Sequence, residues 1–433
     1  MAALVLPVLL ALTAVNYRTC RDLRYPPFLL SVLWLVVTTL YYFSPNPIDP
    51  IGFPTALIFV VVILSFTGGA WLAFLLRVPG SPVRDGEVVR SVGLSSHPRI
   101  RILLLLASVC LLPLLIVRAM HIADQSGFEN FLIGLRVELS SEGSIGYGFL
   151  GNASMLSYFT TFVYAIERSN SKWERLEYYL SLVVSFVYAV LSTGRTAFFL
   201  IIVVLTGIGS MRKGLSIRTL AAAAVVFLLC FGLFAISLGK GGDLQASLAE
   251  NLSSIQESLV QYALGPLPAF DHVVRTGAGP QYGKNVFLDI LNLSKRLTGR
   301  PPISPIQQEV AVPFPTNVYT AIHPVYLDFG VLGVVLAFGL IGAASTYLYL
   351  RAIAGERLFI FYYSISLFPL LYSTFSDQYF APMLSWFKYL VMAYFYFGIE
   401  STSDARNWRR GQHFDGPASG NRLSLPARGD FTA

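Results

Sequence analysis

One arginine at the start of an apolar run stands out as a residue that could bind a ligand or take part in a reaction. Arg195 follows the turn residues Ser192, Thr193 and Gly194, and residues 195–211 are predicted to form a helix. The first N–H groups of a helix and the positive end of its dipole attract anions, and a guanidinium adds a two-pronged donor for phosphate. The sequence therefore predicts a phosphate site at Arg195. An arginine that reaches toward lipid headgroups is the alternative interpretation.

A second group of polar residues precedes another apolar run, which begins near residue 321. Asn317, Tyr319 and His323 could orient an attacking hydroxyl group, and His323 could accept its proton near neutral pH. A histidine before a proline that only caps a helix at the membrane interface is the alternative interpretation.

The apolar runs indicate that a membrane-embedded scaffold positions these residues. The 433 residues are 55% hydrophobic and 13% charged, whereas soluble domains carry about 25% charged residues. A bilayer core needs about 20 apolar residues per helix. We therefore predict an all-α, polytopic integral membrane protein with about eleven transmembrane helices. The predicted spans are residues 2–17, 27–43, 53–76, 100–120, 146–166, 176–192, 195–211, 219–238, 321–350, 358–375 and 379–399.

The basic residues predict the orientation of these spans. Most of the 31 Lys and Arg residues fall in alternate loops and in the tail, which places those segments in the cytoplasm and the N-terminus outside. Residues 1–403 are predicted to form a single transmembrane domain. The tail 404–433 is rich in Gly, Ser, Pro and Arg and is predicted to be cytoplasmic and disordered.

One loop on the predicted outer side is much longer than the others. It comprises residues 239–320, and a loop of this length beside short ones is usually functional. Leucines recur at helical spacing between Asp243 and Ala263, which predicts an amphipathic helix along the membrane surface. The prolines at 266 and 268 predict that regular structure ends there.

Two opposite charges are predicted to lie inside the bilayer. Asp328 and Lys388 fall at similar depths in two spans that run in the same direction. An unpaired charge there would be costly, so we predict that the two residues form a structural ion pair. In the alternative, Lys388 reaches toward water and Asp328 caps a helix or bonds Tyr319.

The absence of other motifs narrows the class of function. The sequence has no GxxxxGK[ST] phosphate loop, no paired carboxylates in the first outer loop and no evident twofold hydropathy repeat. These absences argue against an ATP-driven pump, a metal-dependent donor site and a secondary transporter. We predict no metal and no cofactor. The scattered basic residues also argue against a nucleic-acid partner.

Three blocks of sequence stand around the long loop. The blocks are Ser192-Thr193-Gly194-Arg195-Thr196-Ala197-Phe198-Phe199, the stretch 262–271, and Thr316-Asn317-Val318-Tyr319-Thr320 with Tyr326-Leu327-Asp328-Phe329-Gly330. In this order they resemble those of the O-antigen or oligosaccharide repeat-unit polymerases, the Wzy-type family.

The resemblance implies a glycosyltransferase in the bacterial inner membrane with its active site facing the periplasm. Such an enzyme links undecaprenyl-pyrophosphate-bound repeat units into polysaccharide. Expected partners are the lipid-linked glycan and membrane lipid, and a chain-length regulator protein is a candidate partner.

The resemblance also implies roles for individual residues. Arg195 matches the arginines that are thought to hold the diphosphate, and Arg136 is a looser match. Asp271 and Arg275 complete the predicted substrate-binding set. His323 resembles a histidine of the related O-antigen ligases, although Pro324 follows it here where those enzymes usually have asparagine.

Two other functions stay open at this stage. An O-antigen ligase would use the same donor and transfer it to a lipid A core. A non-catalytic polysaccharide or lipid transporter would need a polar pathway across the whole bilayer, whereas the unusual residues here crowd on one side.

Overall fold

Helices form most of the chain, which confirms the predicted all-α class. A computed structural model describes residues 2–44, 49–76, 98–141, 146–167, 171–237, 247–277, 279–304 and 307–398, so the tail 404–433 lies outside the described residues. A two-stranded antiparallel ladder pairs β1 (Val310–Ala311) with β2 (Pro315–Thr316). The helices are α1 (Ala2–Cys20), α2 (Pro26–Tyr42), α3 (Phe53–Leu75), α4 (Pro98–Gln125), α5 (Phe131–Ser140), α6 (Gly151–Glu167), α7 (Lys172–Leu191), α8 (Arg195–Lys213), α9 (Ile217–Ser237), α10 (Leu248–Leu264), α11 (Pro266–Thr276), α12 (Leu288–Leu297), α13 (His323–Ile353), α14 (Arg357–Tyr372) and α15 (Met383–Ala393).

Several of these helices have the length and apolarity of membrane spans. Among the described residues, α3, α4, α8 and α13 are long and apolar enough to cross a membrane. Shorter apolar helices cover Val5–Cys20, Pro26–Tyr42, Ile217–Leu233 and Arg357–Tyr372. Large apolar side chains face outward, such as Leu103 at 65% and Leu340 at 72% exposure. Such a surface fits a lipid environment, in which helices satisfy their own backbone hydrogen bonds. Each of the eleven predicted apolar segments overlaps a helix.

Helices α3 and α13 pack backbone to backbone. A Cβ atom added at Gly69 would lie 1.8 Å from the Gly339 carbonyl oxygen, and one added at Gly342 would lie 2.1 Å from the Phe66 carbonyl oxygen. Only glycine fits at such positions, and small residues commonly allow close helix contact in membranes. These contacts hold the middle of α13 against α3.

The buried apolar side chains form two large clusters. The first joins α4, α6, α7, α8, α14 and α15, with Phe162 and Ile201 among its fully buried members. The second joins α1, α2, α3 and α13, with Trp34 and Phe338 among its buried members. The two clusters share helices, because Ala70 of α3 and Tyr349 of α13 belong to the first cluster and Leu370 of α14 belongs to the second.

The long segment between α9 and α13 is folded against the bundle. It contains the predicted amphipathic helix as α10, which begins with a capping box between Ser247 and Glu250. Helix α10 ends at Leu264, just before the prolines, as predicted. A new helix that was not predicted, α11, begins at Pro266, where the missing N–H has no helical partner to lose. Leu267 and Phe270 of α11 are fully buried in the second cluster. We call the end of the bundle that carries this segment the loop face.

A buried ion cluster stabilises the opposite end of the bundle. Arg101 of α4 is only 2% exposed. Its Nη2 atom lies 3.0 Å from Glu174 Oε1, and its Nη1 atom lies 3.5 Å from Glu167 Oε2. Glu167 also accepts a hydrogen bond from the Tyr396 hydroxyl at 2.9 Å. One guanidinium therefore ties α4 to the end of α6 and the start of α7.

Replacing Arg101 by methionine is expected to destabilise the fold strongly. The change would leave the buried Glu167 carboxylate without its cation, and loss of one partner of a buried ion pair typically costs about 3 to 5 kcal/mol. Thermal unfolding of the purified protein in detergent measures the effect. Arg99→Met is the control, because Arg99 is an exposed residue of the same helix. Equal melting temperatures for the two variants would contradict a structural role for the cluster.

Candidate functional site

A tight turn places Arg195 at the loop face. Helix α7 ends at Leu191, and α8 begins at Arg195 after only three residues. Thr193 adopts a φ of 50°, a left-handed conformation that β-branched residues rarely occupy. The Tyr147 hydroxyl donates to the Leu191 carbonyl oxygen at 2.5 Å and holds the end of α7. The turn thus fixes the direction in which α8 starts.

Two aromatic rings surround the Arg195 guanidinium. Its Cζ atom lies 4.1 Å from the ring centroid of Phe231 in α9 and 5.2 Å from that of Tyr262 in α10. The two rings meet edge to face, with their centroids 6.2 Å apart. Cation–π contacts of this kind hold a guanidinium in place without neutralising its charge. Half-buried Arg195 therefore keeps its positive charge at a defined position.

Arg136 supplies a second positive charge at the same place. It lies on α5, whose start is capped by Asn130 through hydrogen bonds from the Leu132 and Ile133 N–H groups at 3.0 and 3.2 Å. Burial lowers the pKa of Arg136 below its ordinary value, while the Tyr262 hydroxyl acts in the opposite direction. Arg136 is close enough to repel Arg195 electrostatically. The structure therefore brings together the two arginines that the sequence predicted to hold phosphate.

Two arginines at the opposite end of the bundle are matched by carboxylates. Arg24 lies 2.7 Å from Asp22, and Arg101 lies 3.0 Å from Glu174. Arg136, in contrast, makes no ion pair with any residue that the structure describes. Arg136 therefore adds a positive charge to the surroundings of Arg195. A ligand with several negative charges suits such a pair of guanidinium groups.

An apolar cavity lies below the arginine pair. It has a volume of about 240 Å³ and lies between α8, α9 and α14. Phe199, one helical turn after Arg195, lines its upper end and packs against Tyr372 with the ring centroids 5.4 Å apart. Arg24 and Ser210 line its other end, near the opposite face. The cavity thus begins about one helical turn beyond Arg195 and extends along α8 toward the opposite face.

Asp271 and Arg275, predicted to bind substrate, instead bind each other and the chain before α3. Arg275 Nε lies 2.5 Å from Asp271 Oδ2, and Asp271 Oδ1 accepts the Gly52 N–H at 2.8 Å. Arg275 also donates to the Pro50 carbonyl oxygen. These contacts fasten α11 to the second cluster. Within the described chain, none of them reaches the arginine pair.

Two of the predicted catalytic residues, Tyr319 and His323, pack against each other. His323 is only 5% exposed, and its ring stacks on that of Tyr319 with the centroids 4.2 Å apart and the planes at 13°. The Tyr319 hydroxyl donates to the Gln308 carbonyl oxygen at 2.7 Å. Asn317 is exposed at the loop face. In this arrangement Asn317 is accessible to a ligand, whereas His323 and Tyr319 support its loop.

A backbone hydrogen bond links this group to the arginine site. The Ala321 N–H donates to the Ser373 carbonyl oxygen at 2.8 Å. Ser373 directly follows Tyr372, whose hydroxyl is close enough to interact electrostatically with Arg195 and Tyr262. The structure therefore places the two predicted groups on either side of the end of α14.

Comparisons with protein-family models, curated proteins and solved structures gave no match. Among the described residues, no group of three His, Cys, Asp or Glu side chains could hold a metal ion.

The predicted Asp328–Lys388 ion pair does not form. Asp328 is fully buried and accepts hydrogen bonds from the Val286 N–H at 2.7 Å and from the Asn285 N–H at 2.9 Å. The Asn285 side-chain amide donates to it at 2.8 Å. Exposed Lys388 donates instead to Asn152 Oδ1 at 2.8 Å. The prediction was wrong because the folded loop supplies Asp328 with local donors.

These different partners predict different effects of mutation. Asp328→Ala is expected to lower stability by about 3 kcal/mol, because it leaves buried N–H groups of residues 285 and 286 without an acceptor. Lys388→Gln is expected to change stability little, because the side chain is exposed and its partner is neutral. Thermal unfolding of the two variants in detergent tests this. Equal, large losses in both would restore the ion-pair interpretation.

The sequence analysis did not identify two tyrosines and one aspartate that lie around the site. Tyr262 and Tyr372 lie beside Arg195, yet tyrosine is so common in apolar runs that no pattern marks them. Tyr262 lies near the end of the predicted amphipathic helix and opens the second resembling block, and these two signals could have identified it. Asp377 was also missed. It lies two residues after Phe375, whose ring packs against Tyr262 with the centroids 5.4 Å apart.

Asp377 makes the connection between α14 and α15 sensitive to pH. Burial raises the pKa of Asp377 to about 6, against the opposing effect of N–H groups from Phe380, Tyr379 and Ala381. The folded protein therefore holds this proton more tightly than the unfolded chain does. The resulting stabilisation is fully present below pH 3.8, the ordinary pKa, and is lost as the pH rises through about 6.

Replacement of Asp377 by asparagine is expected to remove this dependence. The melting temperature of the wild type should fall between about pH 4 and pH 7 relative to that of Asp377→Asn, which cannot titrate at this position. Parallel thermal melts across this range provide the measurement. Parallel pH profiles for the two proteins would show that Asp377 has an ordinary pKa.

Proposed function

We propose that the chain is a bacterial inner-membrane glycosyltransferase. It polymerises undecaprenyl-pyrophosphate-linked oligosaccharide repeat units into O-antigen or a related surface polysaccharide on the periplasmic face. The observation that carries this proposal is the placement of Arg136 and Arg195 side by side at the loop face, above an apolar cavity. A lipid diphosphate combines the two chemistries that these features fit, a polyanionic group and a long apolar chain.

The proposed topology places the site outside the cytoplasm. In this proposal about eleven helices cross the membrane and residues 239–320 are periplasmic. The Arg101 ion cluster and the Arg24–Asp22 ion pair at the opposite end would then face the cytoplasm. The loop face would meet lipid-linked substrates after they reach the outer leaflet.

The reaction needs charge stabilisation more than strong acid–base chemistry. The terminal sugar hydroxyl of a new lipid-linked unit attacks the anomeric carbon of the growing chain. The bond from that carbon to the diphosphate oxygen breaks, and the hydroxyl proton passes to solvent or to the departing phosphate. Arg136 and Arg195 stabilise the negative charge that develops on the diphosphate. The proposal needs no metal, because the guanidinium groups supply that charge stabilisation.

The remaining residues orient the substrates. Exposed Asn317 is placed to hydrogen bond a sugar hydroxyl, and the stacked Tyr319 and His323 hold its loop. Correct orientation of two reacting groups can contribute much of a rate enhancement. The cavity from Phe199 to Ser210 accommodates part of the polyprenyl chain of the donor.

Replacing Arg195 by alanine is expected to reduce polymerisation by at least about 100-fold, since loss of one oriented donor to a developing anion has effects of that size. Arg136→Ala should also reduce it. Arg195→Lys should recover only part of the activity, because a point charge cannot form the two-pronged contact. The assay measures polymer formation by purified protein from a lipid-diphosphate-linked repeat unit.

Arg300→Ala provides the matched control, because Arg300 is an exposed arginine of the loop segment outside the site. It is expected to retain wild-type activity. Full activity of Arg195→Ala, with normal membrane insertion, would refute the proposed phosphate role.

Glycan analysis of a deletion strain tests the reaction class. Loss of polymerisation leaves a single repeat unit attached to its lipid anchor. Complete loss of attached polysaccharide would instead indicate a ligase, and unchanged polysaccharide would contradict both enzymes.

A further inference from the structure

A second groove lies on the lipid-facing side of the bundle. It has a volume of about 420 Å³ and lies between α4, α6 and α15. Its wall is almost entirely apolar, and Phe149, which is 87% exposed, stands at its rim. None of its lining residues lines the cavity below the arginine pair. The apolar lining comprises Leu111, Phe149, Ala153, Leu156, Val391 and Met392, among others.

Lys388 is the charged residue that lines this groove. It lies five residues after the start of α15, about 7 Å along the helix axis from the loop face. Its ammonium donates to Asn152 Oδ1 at 2.8 Å, so its nearest partner is a neutral amide. A cation at this depth in lipid is costly unless an anion approaches it. The groove therefore combines an apolar wall with a positive charge near its upper end.

A second cation lies nearby on the same side of the bundle. Arg118 of α4 donates from Nη2 to the Gly146 carbonyl oxygen at 3.3 Å, three residues before Phe149. The helices that flank the groove thus carry positive charge near the loop face. This charge favours a lipid with a net negative headgroup over a zwitterionic lipid, whose own amine already balances its phosphate.

We infer that this groove binds an anionic phospholipid of the surrounding bilayer. One acyl chain lies along Leu111, Leu156 and Met392, and the phosphate accepts a hydrogen bond from Lys388. The site is separate from the proposed polymerase site and does not depend on that function. It gives Lys388 the counter-charge that Asp328 does not supply.

Native mass spectrometry of the full chain tests this inference. Delipidated protein in detergent is incubated with dioleoylphosphatidylglycerol or with dioleoylphosphatidylcholine, and the bound lipid is counted. Wild type is expected to bind one phosphatidylglycerol molecule at this site, about tenfold more tightly than phosphatidylcholine. Lys388→Gln should reduce phosphatidylglycerol affinity about tenfold, which corresponds to about 1.4 kcal/mol.

One further variant tests the apolar groove, and another serves as the control. Met392→Trp fills the groove without removing the charge and is expected to reduce the binding of both lipids. Lys284→Gln removes an exposed lysine of the loop segment and should bind as wild type does. Equal phosphatidylglycerol binding by wild type and Lys388→Gln, equal binding of the two lipids, or no lipid bound by wild type would overturn the inference.

Discussion

Repulsion between two half-buried guanidinium groups is the constraint around which the loop face is built. Arg136 and Arg195 carry like charges within electrostatic reach of each other, in surroundings that screen charge less than water does. Phe231 and Tyr262 enclose Arg195, and the cap of α5 fixes Arg136. An anion that contacts both guanidinium groups would relieve this repulsion.

The rest of the architecture keeps this arrangement rigid. Helix α8, which carries Arg195, packs in the first cluster with α14, whereas α10, which carries Tyr262, leads into α11 in the second cluster. The Asp271–Arg275 pair and its contacts with Gly52 and Pro50 fasten α11 to the start of α3. The site is therefore built from helices of both clusters. Its geometry depends on contacts that carry no ligand themselves.

Local patterns predicted much of this arrangement. The apolar runs identified the helices, the leucine spacing identified α10, and the turn before Arg195 identified its helix start. These features depend on residues close together in the sequence. The resemblance to the repeat-unit polymerases also identified Arg136, which lies within electrostatic reach of Arg195.

Partners that are distant in sequence were not predictable in the same way. Asp328 binds the backbone of Asn285 and Val286, so its partner depends on how a loop folds rather than on residue type. The ion pair was predicted because Asp328 and Lys388 lie at similar depths in the bilayer. Depth does not determine which side of a helix faces which neighbouring helix. Asp271 was predicted to bind substrate because it lies in one of the resembling blocks, whereas in the structure its carboxylate accepts the Gly52 N–H.

Binding of undecaprenyl diphosphate without a sugar isolates the phosphate contacts of Arg136 and Arg195 from catalysis. Wild type, Arg136→Gln, Arg195→Gln and the double variant would be compared in detergent at one salt concentration. We predict that each single change weakens binding at least about tenfold and that the effects of the two changes are not additive, since both side chains contact one diphosphate. Wild-type affinity in both single variants would contradict the account.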